Sequence, residues 1–205
     1  GPRFNFTDDA MLTKDHAGWA RDADGEIILA FNVFLADPPP RLRVRKHAAN
    51  NGEIVWQRLH DRDAGLVISA AVVAGDGAIY LAGEESVSGI SENMVTLYRL
   101  DADGALEWAV AVGENPRLFG EAAQGLVALV DGDVLIAPTE LPQVLRFDAA
   151  GELVGTIDVS DGMIDYTGMA MQQDPCGAVA FVHTGFIEVN PDTWQRALTV
   201  GRLWP

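Results

Sequence analysis

Short apolar segments recur along the chain, and each begins a few residues after a turn that contains glycine. The most apolar of them read IILAFNVF, AIYLA, VLIA and AVAFV, and they follow Gly25, Gly77, Gly132 and Gly177. Each is apolar at successive positions and does not alternate with polar residues, which is typical of a strand buried on both faces. The pattern therefore predicts small β-sheets, each covered by a neighbouring sheet on either side.

A second series of turns lies between the first. It contains Gly52, Gly104 and Gly151, and the segment NPD at 190–192 is a weaker fourth member. Both series repeat with a period of roughly 45 to 55 residues. Because Asn-Gly and Asp-Gly pairs tolerate the positive φ angles of tight hairpins, each turn predicts one hairpin. A repeating unit therefore contains four strands joined by two tight hairpins.

The period and the strand number predict an all-β fold, a β-propeller of about four four-stranded blades. In the second unit the strands are expected at 66–73, 78–82, 95–100 and 106–110. A helical solenoid can have the same period, but no segment carries a sufficiently long 3.6-residue pattern and glycines interrupt every candidate helix. The predicted blades cover 16–63, 64–115, 119–162 and 164–200.

Two segments carry a resemblance to a known family. The stretches RLRVRKHAANNGEIVWQRLHDRDAGLVISAAVVAGDGAIYLAG and VTLYRLDADGALEWAVAVGEN resemble the bacterial SBBP repeats of seven-bladed propellers, in a basic-apolar strand, Asp-x-x-Gly, Trp, a Gly-rich join and a second Asp-Gly hairpin. They are also similar to the blades of pyrroloquinoline-quinone-type propellers and of an outer-membrane assembly lipoprotein. The resemblance covers about 16 to 200 and implies an extracellular, periplasmic or cell-surface protein that serves as a scaffold or binding module.

The blade count departs from that family, whose rings hold more blades. About four blades leave three outcomes open, namely a small closed ring, an open arc of a longer chain, or a ring completed by two chains. We expect an association that covers the exposed blade ends, most simply a homodimer. Within the N-terminal segment 1–15, residues 4–12 are predicted to supply a closing strand, and Gly1-Pro2 resembles the pair left by a protease at a cleavage site.

The charge of the chain limits its partners. It has 30 acidic and 14 basic residues and a formal charge of −16, which opposes binding to nucleic acids and to anionic membranes. Cys176 is the sole cysteine, so an intrachain disulfide and a thiolate zinc cluster are excluded. No segment has the length and apolar character of a membrane span, and no membrane insertion is expected.

Catalytic and metal-binding motifs are not found in the sequence. The four histidines, at 16, 47, 60 and 183, have no metal-ligand spacing, and no nucleophile elbow or phosphate-binding loop occurs. Turns that read DADG or DGD resemble fragments of calcium loops but lack the downstream acid, and we interpret them as hairpins. No catalytic residue, metal ligand or cofactor is therefore predicted.

The candidate site lies in the longer connections between strands. Tight turns occupy one face of each blade, so the longer joins emerge together on the other face, where rigid scaffolds tend to carry function. The predicted binding residues on this long-loop face are His60, Asp61, Arg62, Asp63, Glu84, Glu85, Arg117, Asp165 and Tyr166.

Two functional hypotheses follow. The first is a non-enzymatic exported scaffold or interaction module that binds a protein, peptide or glycan through the long-loop face. The alternative is part of a propeller enzyme, of the quinone-dependent dehydrogenase or lyase type, with the site completed by absent blades. Trp56, Trp108 and Trp194 recur in the repeat and are predicted to pack between blades rather than to bind a ligand.

Overall fold

The structure of the protein is a computed structural model that describes residues 17–33, 41–61, 65–86, 93–115, 123–138, 143–159, 164–190 and 193–204. The described residues form four antiparallel sheets, in each of which the order of the strands follows the chain. We refer to the sheets as blades 1 to 4, and they confirm the predicted all-β propeller of about four blades. No helix in the described part of the chain is long and apolar enough to cross a membrane.

Three blades have four strands and the fourth has three. Blade 1 contains β1 (Ala17–Arg21), β2 (Ile27–Val33), β3 (Arg41–His47) and β4 (Ile54–Asp61). Blade 2 contains β5 (Gly65–Val73), β6 (Ile79–Ser86), β7 (Asn93–Leu100) and β8 (Leu106–Asn115). Blade 3 contains β9 (Ala123–Ala128), β10 (Val134–Pro138), β11 (Gln143–Phe147) and β12 (Leu153–Asp158). Blade 4 contains β13 (Ile164–Gln173), β14 (Val179–Asn190) and β15 (Thr193–Leu203).

The hairpin turns contain the predicted glycines. All seven glycines of the two series have positive φ angles, between 73° and 93°. In blade 2 the N–H of Gly77 donates to the carbonyl oxygen of Ala74 at 3.0 Å. The N–H of Ala74 donates to the carbonyl oxygen of Ala78 at 2.8 Å. This is a three-residue hairpin loop that ends in a left-handed glycine, a conformation that a residue with a Cβ adopts only at a cost.

The blades pack on one another through both faces of their inner strands. In β6, Ile79 and Leu81 belong to the core between blades 1 and 2, whereas Tyr80 and Ala82 belong to the core between blades 2 and 3. All four side chains are buried. Because successive side chains of a strand point to opposite faces, a run of apolar residues supplies both cores, which confirms the predicted burial on two faces.

Two tryptophans hold neighbouring blades together at their outer edges. Trp56 and Trp108 are each the third residue of the fourth strand of a blade. A Cβ placed on Gly104 of blade 2 would lie 2.6 Å from the Trp56 ring, and one on Gly151 of blade 3 would lie 3.1 Å from the Trp108 ring. The indole N–H of Trp108 also donates to the carbonyl oxygen of Ala149 at 3.0 Å. The predicted packing between blades is therefore confirmed for these two tryptophans.

Each blade also has a cation at the penultimate position of its third strand that pairs with an acid in its first hairpin turn. The pairs are Lys46–Asp22 at 2.9 Å, Arg99–Asp76 at 3.1 Å, Arg146–Asp131 at 2.7 Å, and Arg202–Asp174. This pairing recurs in all four sheets, so it identifies β15 as the third strand of blade 4.

The fourth blade differs from the prediction. The turn at 190–192 was expected to join a third and a fourth strand, but it separates β14 from β15, which are the second and third strands. Trp194 therefore lies at the start of a third strand and is not equivalent in position to Trp56 and Trp108, and its predicted packing concerns a side chain outside the described ones. In blade 3 the position of those tryptophans is occupied by Gly155. The described part of blade 4 has no hairpin between a third and a fourth strand, so a side chain at this position would have no such hairpin to pack against.

Three cores join the blades in succession, blade 1 to 2, blade 2 to 3 and blade 3 to 4. Within the described residues no such core joins blade 4 to blade 1. The predicted closing strand at 4–12 and the pair Gly1-Pro2 lie outside the described residues.

Candidate functional site

The strand directions divide the ends of the blades into two surfaces. Antiparallel strands place all seven glycine turns at one end, which we call the turn face, and the connections between them at the opposite end, which we call the join face. The joins themselves lie outside the described residues. The strand ends that reach the join face are described, and several of the predicted site residues are on them.

Strands extend further towards the join face than the apolar pattern predicted. Glu84 and Glu85 were expected in a loop but lie on β6, which continues to Ser86. His60 and Asp61 likewise end β4, and Asp165 and Tyr166 lie on β13, where the backbone alone is described. The expectation of loop positions is wrong for these six residues, because backbone pairing continues along a strand whether or not its side chains are apolar. Arg62, Asp63 and Arg117 lie outside the described residues.

Among the predicted residues whose side chains are described, the structure does not bring His60 and Asp61 together with Glu84 and Glu85. His60 and Asp61 end the outermost strand of blade 1, whereas Glu84 and Glu85 lie on the second strand of blade 2. The Nε2 atom of His60 is 3.1 Å from the carbonyl oxygen of Gly104, which belongs to the outer hairpin of blade 2. His60 therefore takes part in the contact between blades 1 and 2.

Glu84 and Glu85 point to opposite faces of blade 2. Glu85 lies on the face that packs on blade 1, where its carboxylate accepts a hydrogen bond from the Thr96 hydroxyl at 3.3 Å. Glu84 lies on the other face and pairs across the sheet with Val95, which belongs to the core between blades 2 and 3. Alternation along the strand thus excludes the two neighbours in sequence as a pair acting on one substrate.

Glu84 is the buried carboxylate of this region. Its exposed fraction is 4%, and among the acidic residues whose side chains are described it is the one that is buried. Its side chain is directed towards blade 3, and β6 is in contact with β9, the inner strand of that blade. A buried charge is costly unless it is compensated, and charged residues are seldom fully buried without a specific reason. The sequence indicated both glutamates but could not tell which of them is buried.

The inner strands run side by side around the centre of the arc. β1 contacts β5, β5 contacts β9, and β9 contacts β13. Asp165 and Tyr166 lie near the start of β13, at the join-face end of this row. Glu84 on β6 and Asp165 on β13 are therefore both at the join-face end of their strands, in blades 2 and 4, with β9 of blade 3 between them.

Two buried histidines are fixed by the sheets that contain them. His47 Nδ1 is 2.9 Å from the carbonyl oxygen of Gly52, and His183 packs edge-on against Phe181 with the ring centroids 5.8 Å apart. Among the described residues, no three His, Cys, Asp or Glu side chains are grouped so that they could share a metal ion.

The electrostatics of the turn face are set by the recurrent ion pairs. Burial by itself would raise the pKa of Asp22, but hydrogen bonds from Lys46 and from the N–H of Glu26 outweigh it and hold that pKa below 3.8. Burial would likewise lower the pKa of Lys46, yet Glu26 and Asp22 raise it above 10.5. Asp22 and Lys46 are therefore both charged and paired at neutral pH.

Comparison with known proteins identifies the fold but no sequence family. No family model matches the chain, and no curated protein is similar to it in sequence. Among solved structures, it is similar to an α-L-arabinofuranosidase from Fusarium graminearum in complex with an iminosugar inhibitor, with a TM-score of 0.64 and 10% identity over 92% of this chain and 62% of that one.

Two further solved structures share the architecture. A protein of unknown function from Dyadobacter fermentans has a TM-score of 0.56 and 14% identity, over 94% of this chain and 68% of that one. A GH43 protein from Bacillus licheniformis has a TM-score of 0.53 and 11% identity, over 93% of this chain and 40% of that one. The chain thus spans less than two thirds of the length of the arabinofuranosidase and of the GH43 protein.

These comparisons correct the first functional hypothesis. The prediction of a non-enzymatic scaffold or interaction module is contradicted, because an α-L-arabinofuranosidase and a GH43 protein are among the propellers of similar fold. At 10% to 14% identity the likeness concerns the fold, and it identifies the chain as a series of β-propeller blades.

Proposed function

We propose that this chain is part of a propeller enzyme that hydrolyses glycosidic bonds, with Glu84 as one of its reacting carboxylates. The observation that carries the proposal is the burial of Glu84 at the join-face end of β6. The likeness of the fold to an arabinofuranosidase supports the choice of reaction and suggests a substrate that contains pentose sugars.

The chemistry requires two carboxylates. In most glycoside hydrolases one carboxyl group protonates the leaving oxygen, while the other attacks the sugar or activates a water molecule. Glu84 is the candidate for one of these two roles, because its side chain is buried at the join-face end of β6. Glu85 is unsuitable as its partner, because it is directed to the opposite face of blade 2.

We propose that the second carboxylate comes from another inner strand at the join face. Asp165 is the candidate, because its backbone lies near the start of β13, in the row of inner strands. The chain spans only part of the enzymes it resembles, and the proposal places both of these carboxylates within it.

The test combines hydrolysis with binding. The purified chain is assayed with 4-nitrophenyl α-L-arabinofuranoside and with arabino-oligosaccharides, and binding of the oligosaccharides is measured by calorimetry. Glu84→Gln is expected to lower kcat by about 10²- to 10⁴-fold, the usual contribution of a general acid or base, while binding is kept. The matched control is Glu53→Gln, which changes an exposed glutamate on the turn face and should leave turnover unchanged.

Two outcomes would contradict the proposal. One is a wild-type chain that neither binds nor hydrolyses any pentose-containing oligosaccharide. The other is full turnover by Glu84→Gln.

The family and the location remain proposals of the same kind. We infer an SBBP-type repeat and an exported protein from the resemblance in the first two blades, and the likeness of the fold supports the propeller part of that inference. Fractionation of the native organism into cytoplasm, periplasm and medium tests the location. The quinone-dependent dehydrogenase and lyase types, and the homodimer, stay predictions.

A further inference from the structure

Tyr80 connects blades 2 and 3 close to the turn face. Its hydroxyl donates to the carbonyl oxygen of Gly132 at 2.9 Å and accepts from Arg99 Nε at 3.2 Å. Its ring packs edge-on against Trp108, with the centroids 6.0 Å apart. The side chain is fully buried, so both of its polar contacts lie inside the interface between the two blades.

The equivalent position in blade 1 has a smaller and purely apolar residue. Ile28 follows Gly25 by three residues, as Tyr80 follows Gly77, and it is buried on the face that packs on blade 2. Ile28 has neither a ring to fill the space near the turns nor a hydroxyl to reach the next blade. At this place the structure has a cavity of about 290 Å³.

The walls of this cavity combine apolar and polar groups. Its residues come from the first hairpin turns of blades 1 and 2, from the strands beside them and, at Ala102, from the second hairpin turn of blade 2. They include Asp22, Asp24, Ile28, Lys46, Asp76 and Gly77. An apolar cavity of about 150 Å³ accepts benzene, so this one has room for a substituted ring. The volume therefore sets an upper limit of one small ring system.

Lys46 and Gly77 repeat the two polar partners of Tyr80. Lys46 occupies the third-strand position of Arg99, and Gly77 occupies the turn position of Gly132. The Lys46 ammonium lies 2.9 Å from an Asp22 oxygen and 2.7 Å from a Glu26 oxygen. An ammonium group has three N–H donors. Among the described residues these two contacts use two of them, so one N–H of Lys46 can donate to a bound ligand.

We propose that the cavity between blades 1 and 2 binds a small phenol, whose ring and hydroxyl take the place that Tyr80 occupies in the next interface. The phenol hydroxyl donates to the carbonyl oxygen of Gly77 and accepts from Lys46. The aliphatic side chains of Ile28 and Ile79 contact the ring. This site is on the turn face and is independent of the proposed hydrolytic site on the join face.

The charges at the cavity define the preferred phenols. Asp22 and Asp24 line it, and Asp22 is held in its ionised form by Lys46. A neutral phenol such as p-cresol, or a cationic one such as tyramine, is therefore favoured over the anionic 4-hydroxyphenylacetate. Toluene has the same ring and methyl group as p-cresol but cannot form the two hydrogen bonds.

The experiment is a titration of the wild-type chain with p-cresol, followed by amide NMR. We expect saturable shifts that are largest at Gly77 and Ala102, and affinity for toluene and for 4-hydroxyphenylacetate that is weaker by about tenfold or more. Ile28→Tyr should fill the cavity, raise the unfolding temperature and weaken p-cresol binding by at least about tenfold. The matched control is Leu135→Tyr, the same change at the equivalent position of blade 3, which should leave p-cresol binding unchanged.

Three results would overturn the proposal. The first is no saturable binding of p-cresol by the wild-type chain, and the second is undiminished binding by a folded Ile28→Tyr variant. The third needs no variant and is a set of amide shifts on p-cresol binding that are largest in a part of the chain away from Gly77 and Ala102. If Ile28→Tyr does not fold, the wild-type shift map and the ligand series therefore still decide the matter.

Discussion

The first three strands of blade 2 and those of blade 4 are arranged in the same order but have different surroundings. In blade 2 both faces of the inner strands are buried, so that Leu81 on one face and Tyr80 on the other are inaccessible. In blade 4 the face that packs on blade 3 is buried, whereas the opposite face exposes 64% of Leu198 and 72% of Val200. The pairing of Leu198 with Thr184 and of Val200 with Val182 places all four residues on that open face.

The difference shows that the outer face of blade 4 stays exposed because no further blade among the described residues covers it. The outer face of blade 1, at the other end of the row of blades, differs from the outer face of blade 4 because its apolar side chain is covered. On the face of blade 1 that is turned away from blade 2, Phe31 is 6% exposed, and the guanidinium groups of Arg43 and Arg45 lie 5.9 and 5.5 Å from its ring centroid. An exposed apolar sheet face marks an interaction surface or an aggregation liability, so the open face of blade 4 is where the predicted association is expected.

The largest expected effect concerns a residue between two covered faces. Leu81→Ala should lower the free energy of unfolding by about 2 to 5 kcal/mol, because it leaves a cavity between blades 1 and 2. Val200→Ala, on the open face of blade 4, should change it by less than about 0.5 kcal/mol. Urea unfolding measures both, and equal losses would show that the open face is covered in solution.

The next effect tests the tryptophan contact between blades. Gly104→Ala adds a Cβ at a φ of 79° and within 2.6 Å of the Trp56 ring, so it should cost more than the about 1 to 2 kcal/mol of the left-handed conformation alone. The matched control is Gly132→Ala, where φ is 93° and no atom lies within 4 Å of the added Cβ. Equal losses in urea unfolding would mean that the Trp56 ring moves aside freely.

A third prediction compares the cation of blade 2 with that of blade 4. Arg99 bonds to Asp76, Glu107 and the Tyr80 hydroxyl and is largely buried, whereas the Arg202 side chain is 49% exposed. Arg99→Met should cost about 1.5 to 3 kcal/mol, because it removes hydrogen bonds of a charged group inside an interface. Arg202→Met should cost clearly less, because water solvates its partner. Thermal unfolding measures the stability of both variants. A larger loss of stability for Arg202→Met than for Arg99→Met would contradict the prediction.

The smallest effect is a local pH dependence in blade 4. Burial would raise the pKa of Asp174, but the N–H groups of Cys176 and Ala178 and the Arg202 side chain hold it below 3.8. The stability that this carboxylate contributes is therefore fully present above pH 3.8, the pKa of an unperturbed aspartate. It is lost as the pH falls through the pKa of Asp174 in the folded protein, which is lower. The equivalent residue of blade 2 is Ala74, so the N–H groups of that turn have no carboxylate acceptor at this position.

Hydrogen exchange of the amides at the two turns, between pH 2 and 5 and corrected for the intrinsic pH dependence, measures this difference. Asp174→Asn should abolish the acid response of the blade 4 turn without affecting blade 2. An acid response that persists in the variant would assign it to another group.

The repeat could be predicted from the sequence because its signals are local. Positive φ angles are tolerated by few residues other than glycine, so the seven turn glycines identified the hairpins. Burial on two faces was likewise readable, because AIYLA contains no polar position. The recurring cation before the end of each third strand was overlooked, although it would have identified Arg202 and hence the third strand of blade 4.

The site was predicted less well, because it depends on where strands end and which way side chains point. Glu84 and Glu85 are adjacent and chemically identical in the sequence, and the strand register alone separates the buried one from its neighbour. His60 had the character of a loop residue, but the twist of blade 1 brings it to the Gly104 carbonyl group.

By itself, the sequence determined the turns, the strands between them and the four-fold repetition, since each depends on residues close together along the chain. The tertiary structure decided which apolar faces are covered, because a strand cannot encode the presence of the blade that packs on it. It also decided that a cavity borders Ile28 between blades 1 and 2, whereas Tyr80 occupies the equivalent space between blades 2 and 3. The space left by a short side chain depends on the distance to the next sheet.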